Sequence, residues 1–218
     1  MALFDQITRT KVILPRRRAD LVTRLRLVKS FEALLDYRLF IVTAPAGFGK
    51  TSLLVDVAHQ VELPVCWYAI DALDSDPHRF MSHFLAAIAH RFPGFGQHSL
   101  ATLVDFASNQ ADLDRLVTVI VNEIFEHIQE HFVIVLDDWH LITSHMVTEF
   151  INRFSQLADE NCHLVICSRT FVTLPNLSLM VGRGQVGGLV WADLAFQADE
   201  IRAFFLQNYN QTISKQEA

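Results

Sequence analysis

Short apolar runs alternate along this chain with longer segments whose apolar residues recur at helical spacing. The runs are rich in Val, Ile, Phe and Leu, and they predict strands over 39–44, 65–70, 132–137, 163–168 and 185–190. Helical periodicity predicts helices over 19–36, 50–61, 77–92, 112–130, 145–157 and 198–208. Asp76-Pro77 opens the third of these, with the aspartate as N-cap and the proline at the first helical position. Pro93-Gly94-Phe95-Gly96 breaks the chain, and 171–184 reads as loop. Strands that are apolar throughout, separated by helices, predict an α/β fold. The expected sheet is about five-stranded and mostly parallel, with helices on both faces. The chain divides into a basic lead-in over 1–38, a core over 39–192 and the start of a helical subdomain over 193–218.

Between the first strand and its helix lies Ala44-Pro45-Ala46-Gly47-Phe48-Gly49-Lys50-Thr51. Strand, glycine-rich loop ending in Lys-Thr, and helix form the context of a phosphate-binding P-loop. Gly47 and Gly49 let backbone amides turn inward around a polyphosphate, and the helix N-terminus adds partial positive charge. The loop from Gly47 through Phe48 to Ser52 is therefore the candidate nucleotide cradle. Lys50 is placed to reach the outer phosphates, and the Thr51 hydroxyl to hold Mg²⁺. Ala44 stands where the usual pattern has glycine, and alanine suits that position as long as φ stays negative.

The run 132–136 ends in Asp137-Asp138, two carboxylates at the C-terminal edge of a strand. In parallel sheets that edge faces the ligand crevice. Asp137 is the candidate Mg²⁺ ligand, and Asp138 the group that orients or deprotonates an attacking water.

Charge adds an asymmetry. The chain has 218 residues and a net charge of −6, yet residues 1–29 alone carry eight Lys/Arg against Asp5 and Asp20. An acidic body argues against direct DNA binding by this chain. No apolar run reaches the length of a membrane span, and Cys66, Cys162 and Cys167 read as buried reduced thiols of a cytoplasmic protein.

Three other patterns fail their context tests. Gly182-Arg183-Gly184-Gln185-Val186-Gly187 matches a dinucleotide fingerprint, but a strand-like segment follows it where a helix is required. His127, Glu130 and His131 match an inverted zinc-protease motif without a third ligand. Asp71, Asp74 and Asp76 lack the glycine and glutamate of a calcium loop, so turn and cap roles suffice for them.

Several segments together resemble the nucleotide-binding domain of STAND-class P-loop NTPases (an ASCE-type fold), specifically the MalT-like regulators of the large LuxR type. They are Thr10-Lys11-Val12-Ile13-Leu14-Pro15, the stretch Leu21 to Leu27, the loop at 44–51, Asp71 to Phe80, Val135 to Ile142, Leu164 to Arg169, Arg183-Gly184-Gln185, and Asp193 to Phe196. The resemblance implies that Val22 and Arg24 lie against adenine and ribose. It also implies that Arg169, after the fourth strand, senses the terminal phosphate. A cation at a strand's C-terminal end fits that role. The implied activity is an ATP/ADP switch with slow Mg²⁺-dependent hydrolysis and self-association in the ATP state.

Such regulators continue into a sensor and a helix-turn-helix. The chain is expected to be a fragment, a truncated product or a module that borrows a partner protein. The alternatives are a stand-alone P-loop ATPase or kinase, which needs a lid or arginine finger, and an interaction module that has lost hydrolysis.

Overall fold

The computed structural model describes residues 7–217. The first six residues of the basic lead-in and the terminal Ala218 lie outside the described residues. In order along the chain, the elements are α1 (Leu25–Glu32), β1 (Leu39–Thr43), α2 (Lys50–Gln60), β2 (Val65–Ala69), α3 (Pro77–Arg91), α4 (Gln97–Val104) and α5 (Gln110–His127). They continue with β3 (Phe132–Asp137), α6 (His145–Leu157), β4 (Cys162–Ser168), α7 (Leu177–Gly182), β5 (Val186–Val190), α8 (Trp191–Leu194) and α9 (Ala198–Tyr209).

The five strands form one sheet in the order β2-β3-β4-β1-β5, and every pairing is parallel. Every residue of β3 and β4 is buried, as expected of central strands covered on both faces. One face packs against α3, α5 and α6 around the rings of Phe80, Phe84, Phe150 and Phe154. The other packs α1 and α2 against Phe40, Val42, Trp67, Val133 and Val165. Burying each such side chain contributes about 1.5–3 kcal/mol. At the edge, β5 lies tight on β1, where a Cβ on Gly188 would run into the Ile41 carbonyl. Glycine is needed there for close approach of two backbones.

Local signals set several helix starts. The Asp76 carboxylate accepts from the Arg79 amide at 2.7 Å with Pro77 at the first position, and Asn109 caps α5 through the Asp112 amide at 3.0 Å. Helix α4 follows the Pro93–Gly96 break and has no side-chain cap of its own. Instead Glu123, buried on α5, accepts from the amides of Gly96, His98 and Ser99 and from the Ser99 hydroxyl.

The lead-in departs from expectation. The helix predicted over 19–36 is an α-helix only over Leu25–Glu32, continued by a 3-10 turn over Ala33–Asp36. Residues 19–24 are non-helical because the side chains around them bond outward. Arg17 donates to Asp56 on α2 at 2.6 Å, and to the Leu21 carbonyl and Thr23 hydroxyl at 2.9 Å each. A second difference is α7, a short helix inside the stretch 171–184 that reads as loop.

Candidate functional site

Because β1, β3 and β4 run parallel, Thr43, Asp137 and Ser168 reach the same edge of the sheet. The glycine loop springs from β1 there. Gly47 and Gly49 have φ of 87° and 72°, the left-handed region that disfavours side chains, and a Cβ at either would point into open space. Ala44 is not among the described residues with positive φ, and it is buried against the α2 face of the sheet. Alanine fits where the usual pattern has glycine because its methyl group has a packed place to go.

Lys50 opens α2 and is itself buried. Its Nζ donates to the carbonyls of Ala44 at 2.7 Å and Pro45 at 3.0 Å, so the ammonium lies folded inside the loop. The neighbouring Thr51 hydroxyl donates to the Asp137 carboxylate at 2.9 Å. Asp137, only 4% exposed, also accepts from the Asp138 amide at 3.1 Å, and Cys167 of the neighbouring strand β4 lies beside it. Burial pushes the Asp137 carboxyl above the usual carboxylate range, against the opposing pull of Cys167 and Thr51. Thr51 and Asp137 thus present two oxygens together beside the loop, the hard donor set that suits Mg²⁺.

Asp138 adopts φ 61° and ψ 37°, a left-handed conformation rare outside glycine. Such strain concentrates at functional positions. Asp138 Oδ1 lies 3.7 Å from both Arg169 Nε and His140 Nδ1. Arg169 is half exposed at the end of β4. His140 Nδ1 is buried without a hydrogen-bond partner, and burial lowers its pKa. A neutral imidazole, a carboxylate and a guanidinium therefore meet beside the glycine loop. His140 and Cys167 are members of this cluster that the sequence did not single out. The signal for His140 was its spacing, three residues past Asp137 across a single 3-10 turn (Trp139–Leu141). Cys167 gave none, since its contact depends on β4 lying beside β3.

A cleft opens beside the loop. Val22 and Arg24 line it together with Gly49, Ser52, Phe196 and Phe204. The fold brings the lead-in, the loop and the chain around α9 to one place. Phe48 packs against the core face of α1 and α2 without lining this cleft.

The rejected patterns stay apart from the site. Gly182 ends α7 and Gly187 lies in β5. His127 ends α5 on the Glu123 carbonyl, while His131 lies beyond the helix and bonds His163 at 3.0 Å. The two histidines therefore share no helix face. Asp71 and Asp76 act as caps, as turn chemistry requires, and Asp71 also pairs with Lys11 at 2.9 Å, but Asp74 does more. It is fully buried and ion-paired with Lys11 and Arg79, fastening the lead-in to the body. Among the described residues, no group of three or more His, Cys, Asp or Glu is arranged to hold a metal ion. No helix among them is long and apolar enough to cross a membrane.

Strand order, glycine loop and paired carboxylates define a P-loop NTPase fold. The same fold occurs in a Walker-type ATPase of Pyrococcus abyssi, 18% identical, with a TM-score of 0.54 over 92% of this chain and 62% of that one. It occurs also in the Orc1 protein of Aeropyrum pernix, solved in complex with DNA, 19% identical with a TM-score of 0.51 over 93% and 51%. No family model matches the chain. In sequence it is similar to the HTH-type transcriptional regulator MalT of Yersinia enterocolitica, 32% identical over 197 residues. MalT of Cronobacter sakazakii is 33% identical over 206 residues. These alignments cover 90% and 94% of this chain but 21% and 22% of the relatives, so the chain spans about a fifth of their length. The chain has a P-loop NTPase fold and is similar in sequence to a segment of MalT-type transcriptional regulators.

Proposed function

We propose that this domain binds ATP and ADP with Mg²⁺ as a regulatory switch with slow hydrolysis, the nucleotide-responsive part of a MalT-like transcription regulator in the cytoplasm. The observation that carries the reading is the Thr51 hydroxyl on the Asp137 carboxylate at 2.9 Å, beside a loop in which Lys50 is already folded. Amides of the loop from Gly47 to Ser52, Phe48 included, cradle the phosphates, and Lys50 trades its carbonyl partners for phosphate oxygens. Thr51 and Asp137 hold the Mg²⁺, which when bound neutralises phosphate charge. Val22 and Arg24 face the base and ribose. Asp138 orients water with neutral His140 beside it, and Arg169 meets the terminal phosphate.

Among the described residues, the ion-pair contact of Arg169 is a long one to Asp138, and its side chain lies half exposed, so it is not preformed as a finger. That supports slow turnover. The ATP state is the one that self-associates, and DNA contact belongs to other parts of such a regulator or to a partner protein.

The test is binding of Mg²⁺-ADP and Mg²⁺-ATP by calorimetry, with light scattering in each nucleotide. Lys50→Ala is expected to weaken binding by about 100-fold or more, in line with losing a charge-assisted contact to phosphate. ATP but not ADP is expected to raise the scattering mass. Absence of binding in the unaltered protein, or an unaffected Lys50→Ala, overturns the reading. Turnover well above about 1 s⁻¹ without a partner replaces the switch with a dedicated enzyme.

A further inference from the structure

Helix α9 forms part of the cleft wall through Phe204, yet it contributes no buried residue to the fold. Polar contacts to the lead-in hold it instead. Gln207 Nε2 donates to the carbonyls of Ala19 at 3.2 Å and Leu21 at 3.3 Å, and Asn208 Nδ2 to that of Asp20 at 3.1 Å. At the root of the helix, Glu200 accepts from Arg24 Nη2 at 3.0 Å and lies 3.4 Å from Arg26 Nη2. The same two arginines grip the approach to the helix. Arg24 donates to the Ala195 carbonyl at 2.9 Å, and Arg26 to that of Asp193 at 2.8 Å. The Phe196 ring lies 4.4 Å from the Arg24 guanidinium carbon. An element with few buried apolar contacts opens at low free energy. The Arg24–Glu200 pair, with side chains 7% and 13% exposed, is its least screened anchor.

Arg24 has two sides. Its Nη2 serves the α9 side, while its Nε is buried without a partner and the residue lines the cleft. An unsatisfied buried donor calls for an acceptor. Ribose hydroxyls and phosphate oxygens are acceptors of the right kind.

We propose that Arg24 couples occupancy of the cleft to the docking of α9, with Glu200 as the latch. The proposal rests on the nucleotide reading of the site. An acceptor atom of the nucleotide takes the Arg24 Nε–H and fixes the guanidinium plane, which keeps Nη2 aimed at Glu200. Docked α9 in turn keeps Phe196 and Phe204 against the cleft. Each event therefore favours the other by the same factor. A helix held in this way reports on the nucleotide to whatever follows it in the chain.

The test is amide hydrogen exchange across Ala198–Tyr209 in the unaltered protein and in Glu200→Gln, each with and without Mg²⁺-ADP, with ADP affinity measured alongside. In the nucleotide-free state, Glu200→Gln is expected to speed exchange in α9 by roughly 10-fold while β3 and β4 are unchanged. ADP is expected to slow α9 exchange in the unaltered protein, and Glu200→Gln to bind ADP about 5-fold or more weakly. The coupling is overturned if α9 exchanges equally fast in both proteins, or if ADP protects the glycine loop and leaves α9 unchanged. If ADP protects neither, the nucleotide reading falls and the coupling with it. In that case the nucleotide-free comparison still decides whether Glu200 holds the helix.

Discussion

Asp137→Asn separates what the site costs the fold from what it does. Asp137 is 4% exposed, and burial is the largest influence on its carboxyl, raising it above the usual range. No lysine or arginine is ion-paired with it among the described residues. Asparagine keeps an acceptor for the Thr51 hydroxyl and removes the charge. Replacing a poorly compensated buried charge by a neutral isostere stabilises by about 1–2 kcal/mol. For a domain of this size that raises Tm by about 2–8 °C.

Mg²⁺-ADP reverses the order. At roughly a hundredfold excess over Kd, it is expected to stabilise the unaltered protein by about 2.7 kcal/mol, and the variant, lacking the carboxylate proposed to hold Mg²⁺, is expected to gain little. A raised carboxyl binds more protons in the folded than in the unfolded state. Its stabilising contribution is present below the unfolded value of 3.8 and is lost as pH rises through the folded one. The stability gap between variant and unaltered protein therefore opens with rising pH above about 4 and closes below it. Differential scanning fluorimetry at several pH values, with and without Mg²⁺-ADP, reads all of this. A lower Tm for Asp137→Asn in nucleotide-free buffer would refute the reasoning, because it would mean that the charge stabilises the empty fold.

Two further outcomes follow from the same physics. Glu123→Ala removes the carboxylate that serves three amides and a hydroxyl at the start of α4, so it should cost about 2–4 kcal/mol in urea unfolding. Exchange should rise first in Gln97–Val104; unchanged α4 protection would count against this capping role. His83 Nδ1 faces the Arg79 carbonyl, so its Nε2 accepts the Thr8 amide only while the ring is neutral. Burial lowers its pKa below 6.5, with Asp74 opposing that shift and Lys11 and Arg79 adding to it. The stability it provides is complete above about pH 6.5 and is lost as pH falls through the folded value, by at most about 1.4 kcal/mol per pH unit. His140 and His163 shift the same way, so the measurement is the difference from His83→Gln, which should be flatter between pH 7 and 5. Parallel curves would remove His83 from the account.

Local patterns made most of this fold readable. The strand, glycine loop and helix over 39–60, and the apolar run ending in Asp137-Asp138, carry their information within a few residues of one another. Helix α4 did not, because the group that starts it is Glu123, more than twenty residues downstream. The lead-in misled for a related reason. Its apolar spacing continues through Leu21 and Val22, but bonds from Arg17 to Asp56 and from Gln207 to Ala19 hold 19–24 out of the helix. The site shows the same division. Lys50, Thr51 and Asp137 announce themselves by motif, while Cys167 joins them only through strand order and His140 only through the 3-10 turn after Asp138. Asp74 reads as a turn residue, yet its burial against Lys11 is set by tertiary contact.

The place of β1 in the sheet has a consequence for biosynthesis. Leu39 pairs with Leu164 on one side and Val186 on the other, so an early-made strand acquires both neighbours late. On the ribosome, Leu39, Phe40 and Val42 emerge long before anything that covers their edges, and such unpaired strands are prone to aggregate. The strand that carries the glycine loop therefore lacks both neighbours until β4 and β5 have been made, and any shortened version ending before Val186 deprives the loop's own strand of a neighbour.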